Sequence, residues 1–254
     1  MLLASNDTGE RIAAAAGLAA KCPVCQEPVI PKCGAIKVHH WAHRSGTDCD
    51  PWSEPETEWH AGWKRCFPEA RQEVVRGDHR ADIFTAVGWV IELQHSSIAP
   101  DQIVEREVEY GKIVWVINSA PFLRNIAFQP ASGHVKFRWA RPRLSWSYAG
   151  APLYLDTRDG WLFRIHKMTD SSPVRGWGRF VSTARFLIMA GAVRALDTEI
   201  RLEAHCAACS RNAALMEPRA DYSSSHKAQR QCRFCRGVSE YENIGEAYGF
   251  GRCG

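Results

Sequence analysis

Apolar side chains recur with helical spacing early in the chain. Trp59, Trp63, Cys66 and Phe67 fall three or four positions apart, the pattern of a helix with one buried face. A Ser-x-x-Glu capping box that begins at Ser53, with a proline in the first turn, predicts the start of this helix. We therefore expect an amphipathic helix that packs its tryptophans into a core.

Period-two alternation replaces the helical spacing further along. Arg80–Val87 and Trp89–Gln94 are predicted to be strands, and Gly88 between them predicts a tight turn or bulge. Pro100–Tyr110 is predicted to be a helix, ended by the glycine that follows. Lys112–Asn118 is an apolar, β-branched run, typical of a strand covered on both faces. Helix, hairpin, helix and strand in this order predict an α/β core.

The rest of the chain carries weaker patterns. Residues 121–150 are basic and aromatic without clear elements, whereas Pro152–Met168 has the pattern of a hairpin that turns at Asp159-Gly160. Phe180–Leu196 is compatible with a helix. We expect three domains: a Cys- and His-rich module at 1–50, a core domain with a basic extension at 51–200, and a second Cys-rich module at 201–254.

Composition places the chain among globular proteins. It has 254 residues, of which 45% are hydrophobic and 24% charged, which argues against collagens and disordered chains. No apolar run approaches the roughly 20 residues of a membrane helix, and the first ten residues lack the Lys or Arg of a secretory signal. We expect a cytoplasmic protein with no membrane partner.

Positive charge is concentrated in the middle of the chain. Residues 121–186 contain eleven Lys and Arg against three Asp and Glu, although the net charge of the chain is only +4. This excess suits a polyanion such as nucleic acid, and the alternative is a solvated basic face. The residues predicted to grip a DNA backbone and stack on exposed bases are Arg138, Trp139, Arg141, Arg143 and Trp146.

The cysteines occur in pairs spaced for metal binding. Zinc takes four N or S ligands, and Cys-x-x-Cys pairs supply two of them from one turn. The N-terminal site is predicted to consist of Cys22, Cys25, His40 and His43. The C-terminal site is predicted to consist of Cys206, Cys209, Cys232 and Cys235. We therefore predict two structural zinc ions, and the alternative ligands are Cys33, His39, Cys49 and His205.

Acidic residues lie on the polar faces of the two predicted strands. Asp82 is in the middle of the first strand, and Glu92 and Gln94 project from one face of the second. Paired carboxylates suit Mg²⁺ or Mn²⁺, which prefer oxygen ligands. An Asp followed by Glu-x-Lys is the pattern of restriction-endonuclease-like nucleases. Gln94 departs from this pattern because an amide supplies no positive charge.

A second polar pattern accompanies the first predicted helix. Glu56, His60 and Lys64 fall at positions i, i+4 and i+8, beside the apolar stripe. This placement allows Glu56 or His60 to reach over a sheet edge toward Asp82. The alternative is a surface ladder of charges, and a histidine on a helix flank is more often structural than catalytic.

These motifs, taken in order, resemble the CoiA-like competence protein family. The resemblance covers roughly residues 1–120 and, loosely, the hairpin at Pro152–Met168. It is carried by an opening MLLA, Cys22-Pro-x-Cys25, His40-Trp-Ala-His43, Glu56-Thr-x-x-His60-x-x-x-Lys64, Arg80-Ala-Asp82-Ile83, Ile91-Glu92-x-Gln94-x-Ser96, Arg106…Tyr110 and WVIN. The resemblance implies a restriction-endonuclease-like domain behind an N-terminal zinc finger, DNA processing in natural transformation, and a Glu-x-Gln form compatible with activity.

The predicted function is hydrolysis of DNA phosphodiester bonds by a Mg²⁺- or Mn²⁺-dependent deoxyribonuclease. Asp82 and Glu92 would hold the metal, Glu56 would bind it directly or through water, and Gln94 would orient the attacking water or a phosphate oxygen. The expected partners are DNA and other DNA-processing or recombination proteins. The alternatives are a non-catalytic, zinc-dependent DNA- or protein-binding factor and a phage-defence nuclease. The expected fold is a restriction-endonuclease-like mixed sheet with flanking helices, between two small zinc-stapled modules.

Overall fold

The computed structural model describes residues 1–44, 49–194 and 196, and the backbone of four strands between residues 216 and 253. The chain forms two compact units. Unit 1 comprises Met1–Ser96, Glu105–Trp115 and Leu187–Leu196. Unit 2 comprises Ser97–Val104, Val116–Phe186 and the four later strands.

The N-terminal part of unit 1 is a small sheet with strand order β2-β1-β3-β4-β5. Its strands are β1 (Leu3–Ser5), β2 (Arg11–Ala13), β3 (Ala20–Lys21), β4 (Pro28–Lys32) and β5 (His40–Ala42). Trp41 is 1% exposed at the centre of this sheet's core, and its indole N–H donates to the carbonyl of Ile12. A single buried tryptophan is therefore the main side chain of a core that is too small for a second large aromatic residue.

The rest of unit 1 is a helix and an open sheet with strand order β9-β8-β7-β6. The elements are α1 (Glu58–Arg65), β6 (Gln72–Arg76), β7 (His79–Phe84), β8 (Val90–Gln94), α2 (Pro100–Tyr110) and β9 (Ile113–Asn118). A short 3-10 turn at Glu69–Arg71 precedes β6. Strands β6, β7 and β8 are antiparallel, and α2 connects β8 to its neighbour β9. The division between the two units falls within α2, within β9 and again between Phe186 and Leu187.

The predicted elements of this part are largely confirmed, and α2 has the predicted bounds. The predicted start of α1 is wrong. Its N-cap is Thr57, whose hydroxyl accepts the backbone N–H of His60, so the helix begins several residues after Ser53. Strand β6 was not predicted, because its sequence is short and half polar.

Unit 2 is built on an antiparallel sheet with strand order β10-β11-β14-β13-β12. The elements are β10 (Ile126–Ala131), β11 (His134–Trp139), β12 (Leu153–Asp156), β13 (Trp161–Met168), β14 (Val174–Ser182) and α3 (Thr183–Ala190). Short 3-10 turns lie at Leu123–Asn125 and Leu144–Tyr148. A separate four-stranded sheet contains β15 (Met216–Pro218), β16 (Lys227–Cys232), β17 (Val238–Glu242) and β18 (Arg252–Cys253).

The predictions for unit 2 succeed only where the sequence alternates. The hairpin that turns at Asp159-Gly160 is confirmed as β12 and β13. Residues 121–150 hold a further hairpin, β10–β11, that was not predicted. The helix predicted over Phe180–Leu196 is shorter, because residues up to Ser182 continue β14 and only Thr183–Ala190 is helical.

One face of the unit 2 sheet is an aromatic core. Phe163 contacts Phe128, Phe137 and Phe180, with ring centroids 4.7–5.5 Å apart. Trp139 and Trp146 are also buried, at 1% and 0% exposure, so they cannot stack on bases as predicted. These two indoles contribute to folding instead.

The architecture is mixed α/β, with a large mixed sheet and few helices. The finer expectation of a restriction-endonuclease-like fold stays a prediction, as do the domain boundaries after residues 50 and 200. Among the described residues, no helix is both long enough and apolar enough to span a bilayer.

Packing at Gly178 generates a stability prediction. A Cβ at this position would lie 2.2 Å from the carbonyl oxygen of Arg164 and 2.6 Å from the ring of Phe163. We expect Gly178→Ala to destabilise the protein by about 1–3 kcal/mol or more, because backbone cannot yield as a flexible side chain can. Gly34→Ala is the matched control, since nothing lies within 4 Å of its Cβ position. Thermal unfolding should show a lower Tm for Gly178→Ala alone, and equal Tm values would contradict this packing.

Candidate functional site

Four metal-ligating side chains converge at the base of the N-terminal sheet. Cys22 and Cys25 lie in the turn between β3 and β4, His43 follows β5, and Cys49 comes shortly afterwards. Their ligand atoms all lie within 4.8 Å of one another. The backbone N–H of Cys22 donates to the carbonyl of Glu27, and that of Gln26 donates to the carbonyl of Cys22, so backbone hydrogen bonds hold the turn that carries both thiols.

The spacing of these atoms fits zinc. Tetrahedral bonds of roughly 2.0–2.3 Å place neighbouring ligand atoms about 3.3–3.8 Å apart. Here Cys22 Sγ and Cys49 Sγ are 3.7 Å apart, and His43 Nε2 lies 3.4 Å from Cys25 Sγ and 3.3 Å from Cys49 Sγ. Burial, followed by the neighbouring Cys22 and Cys25 thiols, raises the pKa of Cys49 to about 12. A cation bound among these ligand atoms would favour the thiolate form of Cys49.

The ligand set differs from the predicted one at one position. His40 is not in the cluster, because its Nδ1 lies 2.8 Å from the carbonyl oxygen of Val38. Cys49, one of the alternative donors, occupies the fourth position, so the site has three Cys and one His. The second predicted site lies outside the described residues, since only the backbone of Cys232 is described and Cys206, Cys209 and Cys235 are not.

A second polar cluster lies on the open sheet of unit 1. The β7–β8 register pairs Ile83 with Ile91, and one further step sets Asp82 opposite Glu92. Each carboxylate accepts a backbone N–H from the other strand. Asp82 Oδ2 is 3.0 Å from the nitrogen of Leu93, and Glu92 Oε1 is 3.2 Å from the nitrogen of Asp82. The hairpin thus holds both predicted ligands on one face.

Glu92 is strongly perturbed by these surroundings. Burial, followed by the nearby charge of Asp82, raises the pKa of Glu92 to about 8. Arg106 on α2 acts in the opposite direction, with Nη1 3.3 Å from Glu92 Oε2. The Arg106 guanidinium is itself fixed by the carbonyl of Trp52 at 3.0 Å. A carboxyl group with so little solvation favours any cation that enters.

Lys64 is the centre of the cluster. Its Nζ lies 2.9 Å from Glu56, 3.0 Å from Glu73 and 3.0 Å from Asp82, and the side chain is 3% exposed. Burial opposes the charged form, but these carboxylates, with Asp82 the strongest, raise the pKa of Lys64 above its usual value. Lys64 is therefore an ammonium at any working pH.

Glu73 links this cluster to the N-terminal sheet. Its Oε2 accepts the backbone N–H groups of Leu2 and Leu3 at 2.8 and 2.9 Å. Burial opposes its ionisation, but the charges of Lys64 and Arg80 and these hydrogen bonds hold the pKa of Glu73 well below its usual value. Glu73 has a φ of +48°, a strained conformation for a residue with a Cβ.

Gln94 is held by a residue that the sequence analysis did not identify. Its side-chain amide and the backbone N–H groups of His95 and Ser96 all donate to Glu54. His60 Nε2 lies 3.2 Å from the carbonyl oxygen of Leu93 and 3.4 Å from Glu54. A carbonyl only accepts, so Nε2 carries the proton and this histidine positions the strand.

A small pocket opens over this cluster. It is lined by Trp52, Ser53, Glu54, Glu56, His60, Lys64, Arg80, Asp82, Glu92, Leu93 and Arg106. Within the described part of the chain, two buried oxygens of the cluster have no hydrogen-bond partner, Glu56 Oε1 and Gln94 Oε1. Unpaired buried oxygens are costly, and oxygens are the ligands that Mg²⁺ prefers. The donor set therefore fits a hard divalent cation.

Of the four predicted site residues, Glu56, Asp82 and Glu92 line this pocket, and Gln94 is joined to it through Glu54. Glu54, Glu73 and the ion pair of Arg106 with Glu92 were not predicted from the sequence. For Lys64 the helical spacing was a usable signal, whereas nothing in the sequence marks Glu73 as a residue with a positive φ.

Zinc content tests the N-terminal ligand set. Cys49→Ser should lower bound zinc by one equivalent, because three remaining ligands hold the ion poorly. His40→Ala should leave zinc content unchanged, since its ring lies outside the cluster. Elemental analysis of both purified variants is the measurement. Loss of zinc in His40→Ala but not in Cys49→Ser would restore the two-Cys, two-His set.

The raised pKa of Glu92 predicts that the Glu92→Gln variant is more stable than the parent at high pH but not at low pH. The folded protein keeps this proton up to about pH 8, whereas the unfolded chain releases it near 4.5, so the parent loses stability between these values. Glu92→Gln removes this loss and keeps an acceptor for Arg106. Its Tm should exceed that of the parent at pH 9 and approach it at pH 5. The exposed Glu105→Gln is the control, and a pH-independent difference for Glu92→Gln would refute the assignment.

The cluster of Cys and His residues lies in a segment that matches a known protein family. Residues 19–51 match the family model of the competence protein CoiA N-terminal domain. This segment includes all four residues of the cluster, Cys22, Cys25, His43 and Cys49. No curated protein and no solved structure matches the chain. The family match suggests a competence-related role, and over residues 19–51 it confirms the predicted resemblance to the CoiA-like competence proteins.

Proposed function

We propose that this protein is a Mg²⁺- or Mn²⁺-dependent deoxyribonuclease that processes DNA during natural transformation. The observation that carries the proposal is the polar pocket of unit 1. There, the facing carboxylates of Asp82 and Glu92 share the pocket with the unpaired Oε1 of Glu56, and Gln94 is joined to the pocket through its hydrogen bond to Glu54.

Charge supports a divalent cation at this site. The pocket and the adjacent Glu73 contain five carboxylates, whereas the side-chain cations are Lys64, Arg80 and Arg106. This excess is two negative charges only when Glu92 is ionised. Because Glu92 keeps its proton up to about pH 8, a divalent ion that binds here would displace that proton. Like charges in a buried site repel strongly. A divalent ion would offset the repulsion between Asp82 and Glu92, which contributes to the raised pKa of Glu92.

Each residue of the site would have a separate role in hydrolysis. Asp82 and Glu92 would hold the metal, and Glu56 would add its free oxygen directly or through water. A bound metal ion would lower the pKa of its water and neutralise charge on the scissile phosphate. Gln94, fixed by Glu54, would present its free carbonyl oxygen to the attacking water and so orient it.

Lys64 supplies the positive charge that the Gln94 amide lacks. In the Asp…Glu-x-Lys pattern a lysine follows the glutamate by two positions, and here that position is an amide. The ammonium of Lys64 comes from α1 and lies 3.0 Å from Asp82. It is permanently charged, so it can stabilise negative charge that develops on a phosphate near the metal.

Replacement of the facing carboxylates tests this proposal. Asp82→Asn and Glu92→Gln should each lower the cleavage rate more than about a hundredfold, since even outer residues of metal sites cost ten- to a hundredfold. DNA affinity should change little, because Lys and Arg contacts to phosphate supply it. Gln94→Ala should cost about ten- to a hundredfold, the equivalent of one lost hydrogen bond. The measurement is cleavage of single- and double-stranded DNA with Mg²⁺ or Mn²⁺.

The control is Glu58→Gln on α1, because Glu58 is 71% exposed and lies outside the pocket. It should cleave like the parent. A parent protein that binds DNA but cuts no substrate with either metal would instead support a non-catalytic DNA-binding factor. Equal activity of Asp82→Asn and the parent would exclude this site as the catalytic centre.

A further inference from the structure

The solvent face of the unit 2 sheet carries a dense group of cations. Strands β11, β13 and β14 alternate between aromatic side chains that enter the core and basic side chains that point away from it. The basic residues are Lys136, Arg138, Arg164, Lys167, Arg175 and Arg179. We call this surface the basic face. It contains six of the eleven cations of residues 121–186.

Strand register places like charges against each other on this face. Arg138 pairs with Arg175 across β11 and β14, and Arg164 pairs with Arg179 across β13 and β14. Like charges directly opposite in a sheet are destabilising. No ion pair joins any of these four residues to another described residue. A protein that keeps two such pairs without a counter-charge is suited to an anionic partner.

Aromatic rings lie among these cations. Trp177 is 36% exposed and lies opposite Lys136 and Lys167 in the register. The ring of His166 stacks on Trp177, with centroids 4.7 Å apart and planes 5° apart. His134 meets the indole edge-on at 5.6 Å. The face therefore presents flat rings between phosphate-binding side chains.

His166 is suited to stacking as a neutral ring rather than to contacting phosphate as a cation. Partial burial, followed by the charges of Arg164 and Arg179, lowers the pKa of His166. Its ring is therefore neutral at physiological pH. The two glycines that flank Trp177 let the backbone of β13 and the rings of Phe137 and Phe163 approach closely, because a Cβ at either glycine would lie within 2.2 Å of a β13 carbonyl oxygen. The indole thus has a rigid base.

We propose that the basic face binds single-stranded DNA, with Trp177 stacking on a base and the surrounding Arg and Lys residues contacting phosphates. Single strands are favoured because their bases are free to stack on an aromatic ring, whereas duplex bases are already stacked. The open, slightly twisted surface of a sheet suits an extended strand. The inference deepens the proposed function by naming its substrate class, but binding at this face is measured separately from cleavage.

The experiment measures affinity for a fluorescein-labelled 20-nucleotide oligo-dT, by anisotropy, with no divalent metal added. Trp177→Ala should weaken binding roughly five- to a hundredfold, the range of one lost base stack, and Trp177→Phe should restore most of it. Trp89→Ala is the matched control, because Trp89 is also 36% exposed but lies in unit 1. It should bind like the parent.

A second pair of variants tests the charges. Arg138→Gln with Arg175→Gln should reduce the slope of log Kd against log salt by about 1.4, because each single-strand phosphate contact contributes about 0.7. Arg65→Gln with Lys112→Gln removes the same charge from unit 1 and should leave the slope unchanged. All variants should unfold at temperatures close to that of the parent, since every altered side chain is at least partly exposed.

The outcomes separate this inference from the proposed nuclease. Trp177→Ala and Trp89→Ala with equal affinities would overturn the basic face as a binding surface, even if Asp82→Asn abolishes cleavage. Binding that depends on Trp177 in a protein that never cuts DNA would keep the inference and refute the nuclease. Tighter binding of a 20-base-pair duplex, or binding of phosphatidylglycerol vesicles but not of oligo-dT, would also overturn it.

Discussion

The polar site of unit 1 depends on one buried ammonium group. Lys64 contacts carboxylates from three separate segments, Glu56 before α1, Glu73 in β6 and Asp82 in β7. Removing water from such a charge costs several kcal/mol, and only several close partners can offset this cost. Lys64 therefore fixes the helix to the sheet and sets the positions of two of the residues proposed to act on DNA. Without it, three carboxylates would face each other in a space that excludes water.

Polar contacts hold this site together, and they resemble those of a binding site more than those of a core. Hydrophobic residues of the same volume would stabilise the fold at least as well, because buried ion pairs lose their hydration and are often no better than well-packed apolar side chains. Glu92 keeps a carboxyl group whose ionisation is opposed by burial, and Glu73 keeps a strained backbone. Features of this kind persist where activity requires them. The site is thus best explained by a ligand that compensates the remaining charge.

The sequence was informative where a feature depends on local pattern. The hairpin that sets Asp82 opposite Glu92 follows from alternation around Gly88, and the helical spacing that marked Lys64 follows from the period of α1. Features that depend on loop geometry were not readable. Cys49 takes the position predicted for His40, whose ring instead contacts the carbonyl of Val38, and the indole exposed on the basic face is Trp177 rather than the buried Trp139. Spacing identifies donors, whereas only three-dimensional packing selects among them.

The hydrogen bonds from Leu2 and Leu3 to Glu73 connect the N-terminal sheet to the polar pocket. One carboxylate accepts the main chain of β1 through one oxygen and the Lys64 ammonium through the other. The folding of the N-terminal sheet and the arrangement of the pocket therefore share a coupling free energy. A cation bound by the Cys and His cluster would therefore change the affinity of the pocket for a cation of its own, and occupancy of the pocket would in turn change the affinity of the cluster.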